Sequence, residues 1–322
     1  MDVAGAAKFI RAIEPLARLT RRPGMVRGIG GFGGLFSMKP LGYRDPVLVA
    51  SADGVGTKLK LAQKAGWYEP LGVDLVAMNV NDILCAGAEP IFFLDYIAAG
   101  RLDPRVMVEI VRGVVRGCVD SHCALLGGET AQMGLVYRSG DFDLAGFAVG
   151  AVEKNRVITG EKIRPGDRLL GLASNGIHSN GFSLVQKVLP VSEQKRRARE
   201  LLRPTRIYVR AVLGLLGAQA PVKGIAHITG GSFREKLARI LPEGTAAVLQ
   251  KRSWPVPPVF RAIQSAGVPA AEMYRTFNMG IGMVLALPPA SVPKAQAALK
   301  RQGMDSWPVG QVAKGRREVI LR

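Results

Sequence analysis

The stretch Ser51-Ala52-Asp53-Gly54-Val55-Gly56-Thr57-Lys58 joins an apolar run, Pro46-Val47-Leu48-Val49-Ala50, to a carboxylate, two glycines, a hydroxyl and an ammonium. Those groups together can hold a metal-bound polyphosphate. The apolar run reads as an interior strand, so Asp53 falls where that strand ends, and Gly54 and Gly56 let backbone amides approach an anion with no Cβ in the way. Asp53 is then placed to hold Mg²⁺, with Lys58 facing phosphate oxygens. The order Gly-Thr-Lys is not the Gly-Lys-Ser/Thr of a P-loop. Upstream, Gly28-Ile29-Gly30-Gly31-Phe32-Gly33 matches a dinucleotide glycine pattern, but it follows Arg21-Arg22-Pro23-Gly24 rather than a strand and opens no helix, which excludes that reading. Gly31 and Gly33 therefore belong either to a mobile surface loop or to a lid over an anionic ligand.

Three further groupings carry chemistry. Asp74-Leu75-Val76-Ala77-Met78-Asn79-Val80-Asn81-Asp82 reads as a helix with Asn79 and Asp82 three apart on one face, in apolar company where an Asp needs a basic partner or a cation. Leu125-Leu126-Gly127-Gly128-Glu129-Thr130 repeats the logic of the Asp53 loop, a strand ending in glycines, a carboxylate and a hydroxyl. Asp53, Asp82 and Glu129 would form the all-oxygen cage that Mg²⁺ requires beside a nucleoside triphosphate. Ser174-Asn175-Gly176-Ile177-His178-Ser179-Asn180-Gly181 and His227-Ile228-Thr229-Gly230-Gly231-Ser232 each link a strand to a helix through small hydrogen-bonding residues. Such loops suit an anionic substrate held by His178, Ser179, Asn180, Thr229, Gly230 and Gly231.

The elements that must position these loops alternate between apolar strands and helices, as in an α/β fold or α+β sandwich. Strands are expected at 47–53, 90–97, 123–127 and 142–152, with helices near 71–87 and 104–120. A second half has strands near 167–173, 224–229, 244–250, 279–287 and 306–313 and helices near 181–189, 204–217, 233–241, 257–266 and 290–302. The polar segment Glu153 to Pro165 separates them, giving a metal- and nucleotide-binding domain over 1–153 and a substrate domain over 154–322. A chain of 322 residues with 48% hydrophobic and 21% charged content is that of a globular protein. Its apolar runs are too short to span a membrane, and Lys8, Arg11 and Glu14 interrupt any secretory h-region, so a cytoplasmic location is expected. Cys85, Cys118 and Cys123 show no framework spacing and read as buried thiols. The net charge of +19 would suit nucleic acid, but the densest basic run, Lys195 to Glu200, has no interleaved aromatics and reads as a solvated face, so no specific nucleic acid is expected.

In this order the motifs resemble the aminoimidazole ribonucleotide synthetase family, also called phosphoribosylformylglycinamidine cyclo-ligases, over nearly the whole chain. The likeness runs through Gly30-Gly31-Phe32-Gly33, Asp53 to Lys58, Val80-Asn81-Asp82, Gly87 to Tyr96, Gly127 to Ala131, His178 to Gly181, Pro204 to Val209 and Phe277 to Gly282. The resemblance implies ATP-dependent closure of an imidazole ring, with ATP and Mg²⁺ as cofactors. It assigns ATP to Gly31, Gly33, Asp53, Gly54, Gly56, Thr57, Lys58, Gly127, Gly128 and Thr130, the metal to Asp53, Asp82 and Glu129, and catalysis to Lys58 and His178. It also implies a two-domain α/β homodimer paired through its N-terminal halves. Thiamine-monophosphate kinases and selenophosphate synthetases share the Asp53-type loop. The pairing of Gly-Gly-Glu-Thr with His-Ser-Asn-Gly on a short chain separates the present sequence from them.

The chain departs from the family pattern in places. Members carry a Tyr-Lys-x-Ala-Gly-Val-Asp lead where this chain begins Met1-Asp2-Val3-Ala4-Gly5. Gln132 stands for a glutamate, Ser232 for a third glycine, and the stretch from Val191 to Leu202 is short.

Overall fold

Two apolar runs, Pro46–Gly54 (β3) and Phe142–Glu153 (β6), pair antiparallel from end to end and form the backbone of the first of two units. The computed structural model describes residues 3–101 and 103–322; Met1 and Asp2 of the N-terminal departure lie outside the described residues. The units are Met1–Ile83 with Ala88–Asn155, and Leu84–Gly87 with Arg156–Arg322.

The first unit runs α1 (Val3–Arg18), a short ribbon of β1 (Met25–Arg27) and β2 (Leu35–Phe36), β3, α2 (Lys58–Ala65), α3 (Glu69–Cys85), β4 (Glu89–Ala99), α4 (Pro104–Asp120), β5 (Ala124–Gln132) and β6. Its sheet has the order β3-β6-β4-β5, antiparallel except for the β4–β5 pair. Helix α4 starts where Asp103 accepts a hydrogen bond from the Arg105 amide and Pro104 occupies the first turn. It buries Met107, Ile110, Val111, Val114 and Val115. Helices α3 and α4 cross so closely that a Cβ on Gly113 would lie 2.0 Å from the Glu69 carbonyl oxygen, and one on Gly72 2.1 Å from that of Ile110. Helix α3 lies on the sheet face marked by Gly146 and Gly150, where a Cβ would meet Asn79 and Ile83. The alternate residues Leu48 and Phe147 remain 61% and 46% exposed, so the opposite face carries apolar side chains open to solvent.

Before β1, the Arg22 guanidinium bonds Glu89 at 2.7 Å and the carbonyls of Pro90 and His122, while the Thr20 hydroxyl accepts from the Leu125 amide. These contacts fix the base of the β1–β2 ribbon, and the glycine segment, expected as a mobile loop or a lid, is the tip of a hairpin. Strand β5 also extends beyond the expected end at residue 127. Gly127 to Thr130 continue the parallel ladder with β4, because the opposite strand supplies partners through Ala99.

The second unit runs β7 (Arg168–Ala173), α5 (Phe182–Val188), α6 (Val191–Arg196), α7 (Ala198–Leu201), α8 (Val209–Gly217), β8 (Gly224–His227), α9 (Ser232–Ala238), β9 (Thr245–Leu249), α10 (Pro258–Ser265), α11 (Ala270–Thr276), β10 (Ile281–Leu287), α12 (Val292–Arg301), β11 (Ser306–Lys314) and β12 (Glu318–Leu321). Its six-stranded sheet has the order β12-β9-β11-β7-β10-β8. Every residue of β8, β9 and β10 is buried, which explains their continuous apolar sequences. The helix expected from residue 204 starts at Val209, since Pro204 disfavours helical backbone at Arg203 and the residues that follow bond to neighbouring loops.

Gly113→Val drives a side chain into the α3 backbone, and overpacking of this kind costs about 1–3 kcal/mol. The urea midpoint should fall accordingly, whereas the same change at Gly217, whose Cβ position meets nothing, should move it much less.

Candidate functional site

Asp53 lies at the C-terminal end of β3, within a cross-strand row in which it faces Gly146, Gly146 faces Asp95 and Asp95 faces Gly128. Alternating carboxylates and glycines in one row leave room for the carboxyl groups: a Cβ on Gly128 would fall 2.4 Å from Asp95 Oδ1. Helix α3 crosses this row. The Asn79 side-chain amide donates to the Leu75 carbonyl at 2.8 Å and to that of Asp53 at 3.4 Å, and its buried Oδ1 accepts no hydrogen bond. Asp53 itself accepts from the Gly54 amide at 2.8 Å. Gly56 has a positive φ of 71° and empty space where a Cβ would stand, and both it and Thr57 are exposed, as an approaching anion requires.

Lys58 is placed differently from the expectation that it faces phosphate. It opens α2 with its side chain fully buried, and its Nζ lies 2.6 Å from Asp74 Oδ2, equally buried on α3. A carboxylate sealed under α3 needs a cation, and Lys58 supplies it. Burial pulls the ammonium below its usual pKa, with the Asp74 charge opposing. The pair ties the loop carrying Asp53, Gly54 and Gly56 to the helix carrying Asn79 and Asp82.

Asp82 is exposed, not buried in apolar company as its neighbours suggested, because it lies on the solvent side of α3. Glu129 is also exposed, opposite Tyr96 on β5, with one carboxylate oxygen accepting from the Thr130 amide. It stands on one outer strand and Asp53 on the other. Three inter-strand steps of about 4.8 Å separate them by on the order of 14 Å. Among the described residues no cluster of three or more His, Cys, Asp or Glu side chains is arranged for a metal, so one chain does not bring Asp53, Asp82 and Glu129 to a single ion.

The glycine hairpin and the β4–β5 pair enclose a second part of the site. A cavity of about 380 Å³ lies between Gly28–Gly34 and Leu94, Asp95, Tyr96, Leu126–Glu129 and Phe147. It unites Gly31, Gly33, Gly127 and Gly128, but not Asp53, Gly54, Gly56 or Thr57. A Cβ on Gly34 would fall 2.7 Å from the Leu126 carbonyl oxygen, so the hairpin rests directly on β5. Burial pushes the Asp95 carboxyl up to about 7. Its only sequence signal is a lone acid in the apolar strand Ile91-Phe92-Phe93-Leu94-Asp95-Tyr96. Behind it, burial raises the Cys118 thiol, with Cys123 and Asp95 adding to the effect, so this is an inert packed thiol.

In the second unit, the loops after β7 and β8 come together. A Cβ on Gly230 would lie 3.3 Å from Asn180 Oδ1, and the Ser179 and Thr205 hydroxyls are 3.0 Å apart. Asn278 cross-links the set: its Oδ1 accepts from the Ser174 hydroxyl and the Gly280 amide, and its amide donates to the Gly176 carbonyl. His178 is 1% exposed, adopts a positive φ of 61°, packs against Tyr208, and accepts the Arg206 amide at Nε2. A Cβ on Gly282 would lie 2.5 Å from its ring. His178 therefore braces the loop that carries Ser179 and Asn180. Thr229 is also largely buried, and Ser232, in left-handed backbone at φ 50°, donates from its hydroxyl to the Phe277 carbonyl at 2.6 Å.

Both units match models of one protein class: the AIR synthase related protein N-terminal domain over residues 42–152 and its C-terminal domain over residues 164–322. Solved structures share this fold. Thiamine-monophosphate kinase from Stenotrophomonas maltophilia K279a superposes with a TM-score of 0.74 at 17% identity, covering 96% of this chain and 95% of that one. The hydrogenase maturation protein HypE in complex with ATP gives 0.70 at 16% identity, covering 97% and 90%. Curated relatives narrow the class. Phosphoribosylformylglycinamidine cyclo-ligases from Symbiobacterium thermophilum and Thermosynechococcus vestitus are 52% and 48% identical, covering 92% and 99% of this chain and 88% and 96% of those proteins. The one from Carboxydothermus hydrogenoformans is 46% identical over 100% of this chain and 96% of that protein. The chain belongs to the phosphoribosylformylglycinamidine cyclo-ligase family.

Lys58→Met strands the buried Asp74 charge and should cost about 3–5 kcal/mol by denaturant titration, while Lys58→Met with Asp74→Leu recovers most of that loss. Asp95 gives a pH signature. Its folded-state pKa lies above the unfolded value, so its contribution to stability is greatest near pH 4 and is lost as pH rises to about 7. Asp95→Asn should therefore gain melting temperature over wild type progressively between pH 4 and 7, with a constant advantage above; a gain independent of pH would contradict the assignment.

Proposed function

We propose that this chain closes the imidazole ring of a purine precursor. ATP phosphorylates the formyl amide oxygen of formylglycinamidine ribonucleotide, the amidine nitrogen attacks the activated carbon, and phosphate leaves, giving 5-aminoimidazole ribonucleotide, ADP, phosphate and a proton. The reading is carried by near full-length identity of 46–52% to proteins bearing that activity's name. The work belongs in the cytoplasm, and no helix among the described residues is long and apolar enough to cross a membrane.

Phosphoryl transfer asks mainly for positioning and charge neutralisation. Asp53 at the C-terminal end of β3 offers a hard oxygen donor, the unpartnered Asn79 Oδ1 stands on α3 where it crosses that end, and Asp82 follows one turn further along α3, oxygens of the kind that suit Mg²⁺. Bound there, Mg²⁺ would offset the charge on the transferring phosphoryl group. Gly54, Gly56 and Thr57 leave the backbone open to the phosphates, while Lys58 holds their loop from behind. In the second unit, Ser179, Asn180, Thr229, Gly230 and Gly231 bind the substrate, with His178 positioning their loop. Fixing the amidine against the activated carbon supplies the effective molarity for cyclisation.

Glu129 reaches the Asp53 ion only from a second copy of the chain. A homodimer paired through the open sheet face supports this arrangement, since Leu48 and Phe147 are left exposed there.

ADP release should depend on formylglycinamidine ribonucleotide and on Mg²⁺. Asp53→Asn should lower turnover about a hundredfold or more, the equivalent of about 3–4 kcal/mol for one preorganised electrostatic contact, without lowering the melting temperature of the ligand-free protein. Unfolding of Asp53→Asn, with the remaining folded protein still stabilised normally by Mg²⁺-ATP, would make Asp53 a turn residue instead. Phe147→Glu should convert the dimer to monomer in sedimentation velocity and abolish turnover, and a monomeric wild type would refute the shared site.

A further inference from the structure

Strands β7, β10 and β8 lie side by side with β10 antiparallel to both, so the loops that leave β7 and β8 and the turn that enters β10 meet at one edge of the sheet. Each of the three holds a non-glycine residue in left-handed backbone: His178 at φ 61°, Ser232 at φ 50° and Met279 at φ 49°. The other such residues among those described, His122, Gln219 and Arg317, follow helix ends or join β11 to β12, where that conformation is ordinary. Left-handed backbone strains any residue with a Cβ and persists only where the surroundings hold it. His178 is held by the Arg206 amide, and Met279 by Trp254, whose Nε1 donates to its carbonyl oxygen at 2.9 Å. Ser232 is fully buried; its amide donates to the Thr229 carbonyl at 2.8 Å and its hydroxyl to that of Phe277 at 2.6 Å.

These bonds close a ring. Asn278 ties the turn to Ser174 and Gly176 of the first loop, Ser232 ties the second loop to Phe277, and Asn180 meets Gly230 between the two loops. Phe277 also braces the first loop directly, since a Cβ on Gly181 would fall 2.2 Å from its ring. We infer that Ser232 is a positioning residue for the substrate, its hydroxyl fixing Thr229, Gly230 and Gly231 against the loop of Ser179 and Asn180. The inference rests on the assignment of those two loops to the substrate. A glycine at 232, as in the family pattern, takes left-handed backbone without strain but has no group with which to hold Phe277. The serine exchanges that freedom for a fixed loop, which lowers the ordering cost of binding.

Two variants separate the bond from the strain. Ser232→Ala loses the bond and keeps the strain, whereas Ser232→Gly loses the bond and relieves the strain, so the glycine variant should melt at the higher temperature of the two. Both should nevertheless raise the KM for formylglycinamidine ribonucleotide at least about fivefold, the effect of about one hydrogen bond, and leave the KM for ATP within about twofold. Backbone amide exchange over residues 228–232 of the ligand-free protein, corrected for intrinsic rates, reads the loop without any reaction and should quicken at least about fivefold in both. A substrate KM that follows melting temperature, returning to the wild-type value in Ser232→Gly, makes the residue structural only and overturns the proposal, as does unchanged exchange in both variants. If wild type releases no ADP with formylglycinamidine ribonucleotide, the ring-closing reading falls, while the exchange comparison still decides whether Ser232 holds the loop.

Discussion

The ion pair between Lys58 and Asp74 is the constraint on which the first unit is organised. Both groups are fully removed from water, at a separation of 2.6 Å. Neither charge is tolerable alone in that interior, so α2 and α3 are committed to a single relative placement. That placement brings Asn79 to the Asp53 carbonyl and leaves Gly56 and Thr57 facing outward. An apolar pair of similar volume would stabilise the interior as well, but it would have no directional preference for this one arrangement.

With that clamp in place, the chemistry divides along the sheet. The β3 end, where Asp53 lies beneath the neighbouring part of α3, leaves Gly56 and Thr57 exposed. Two strands away, Asp95 lies on the helix-facing side of the sheet near Cys118 and is reluctant to ionise. The second unit is organised differently. Its loops are tied together by Asn278 and braced by His178, which makes them a rigid hydrogen-bonding surface.

The sheets and most helices were legible because buried strands are written as unbroken apolar runs between Gly and Pro, as at β3, β6 and β10. Helix α2 was not, since a short segment with Lys58, Lys60 and Lys64 reads as solvated until Asp74 is known to cover one of them. Helix α8 was drawn too long because the residues after Pro204 look helical but spend their side chains on neighbouring loops. Asp53 could be found from local order alone. The burial of Lys58 could not, because residue type does not reveal what a side chain meets on the next helix. The separation of Asp53 from Glu129 depends on the strand order β3-β6-β4-β5, which no local pattern encodes. The burial of His178 was hidden for a related reason: small polar residues around a histidine look alike whether the ring is open or packed away.

The interlock of Asp95 with Gly128 also constrains how the protein can change over generations. Any side chain at position 128 collides with the acid while Asp95 is present, so substitutions there are penalised. Exchanging Asp95 for a smaller residue removes only part of the collision, because the backbone carbonyl oxygen of residue 95 lies 2.5 Å from the same Cβ position and stays. Position 128 is thus held to glycine by the neighbouring strand itself, whichever residue stands at 95. Change in this pair is therefore open on β4 and closed on β5.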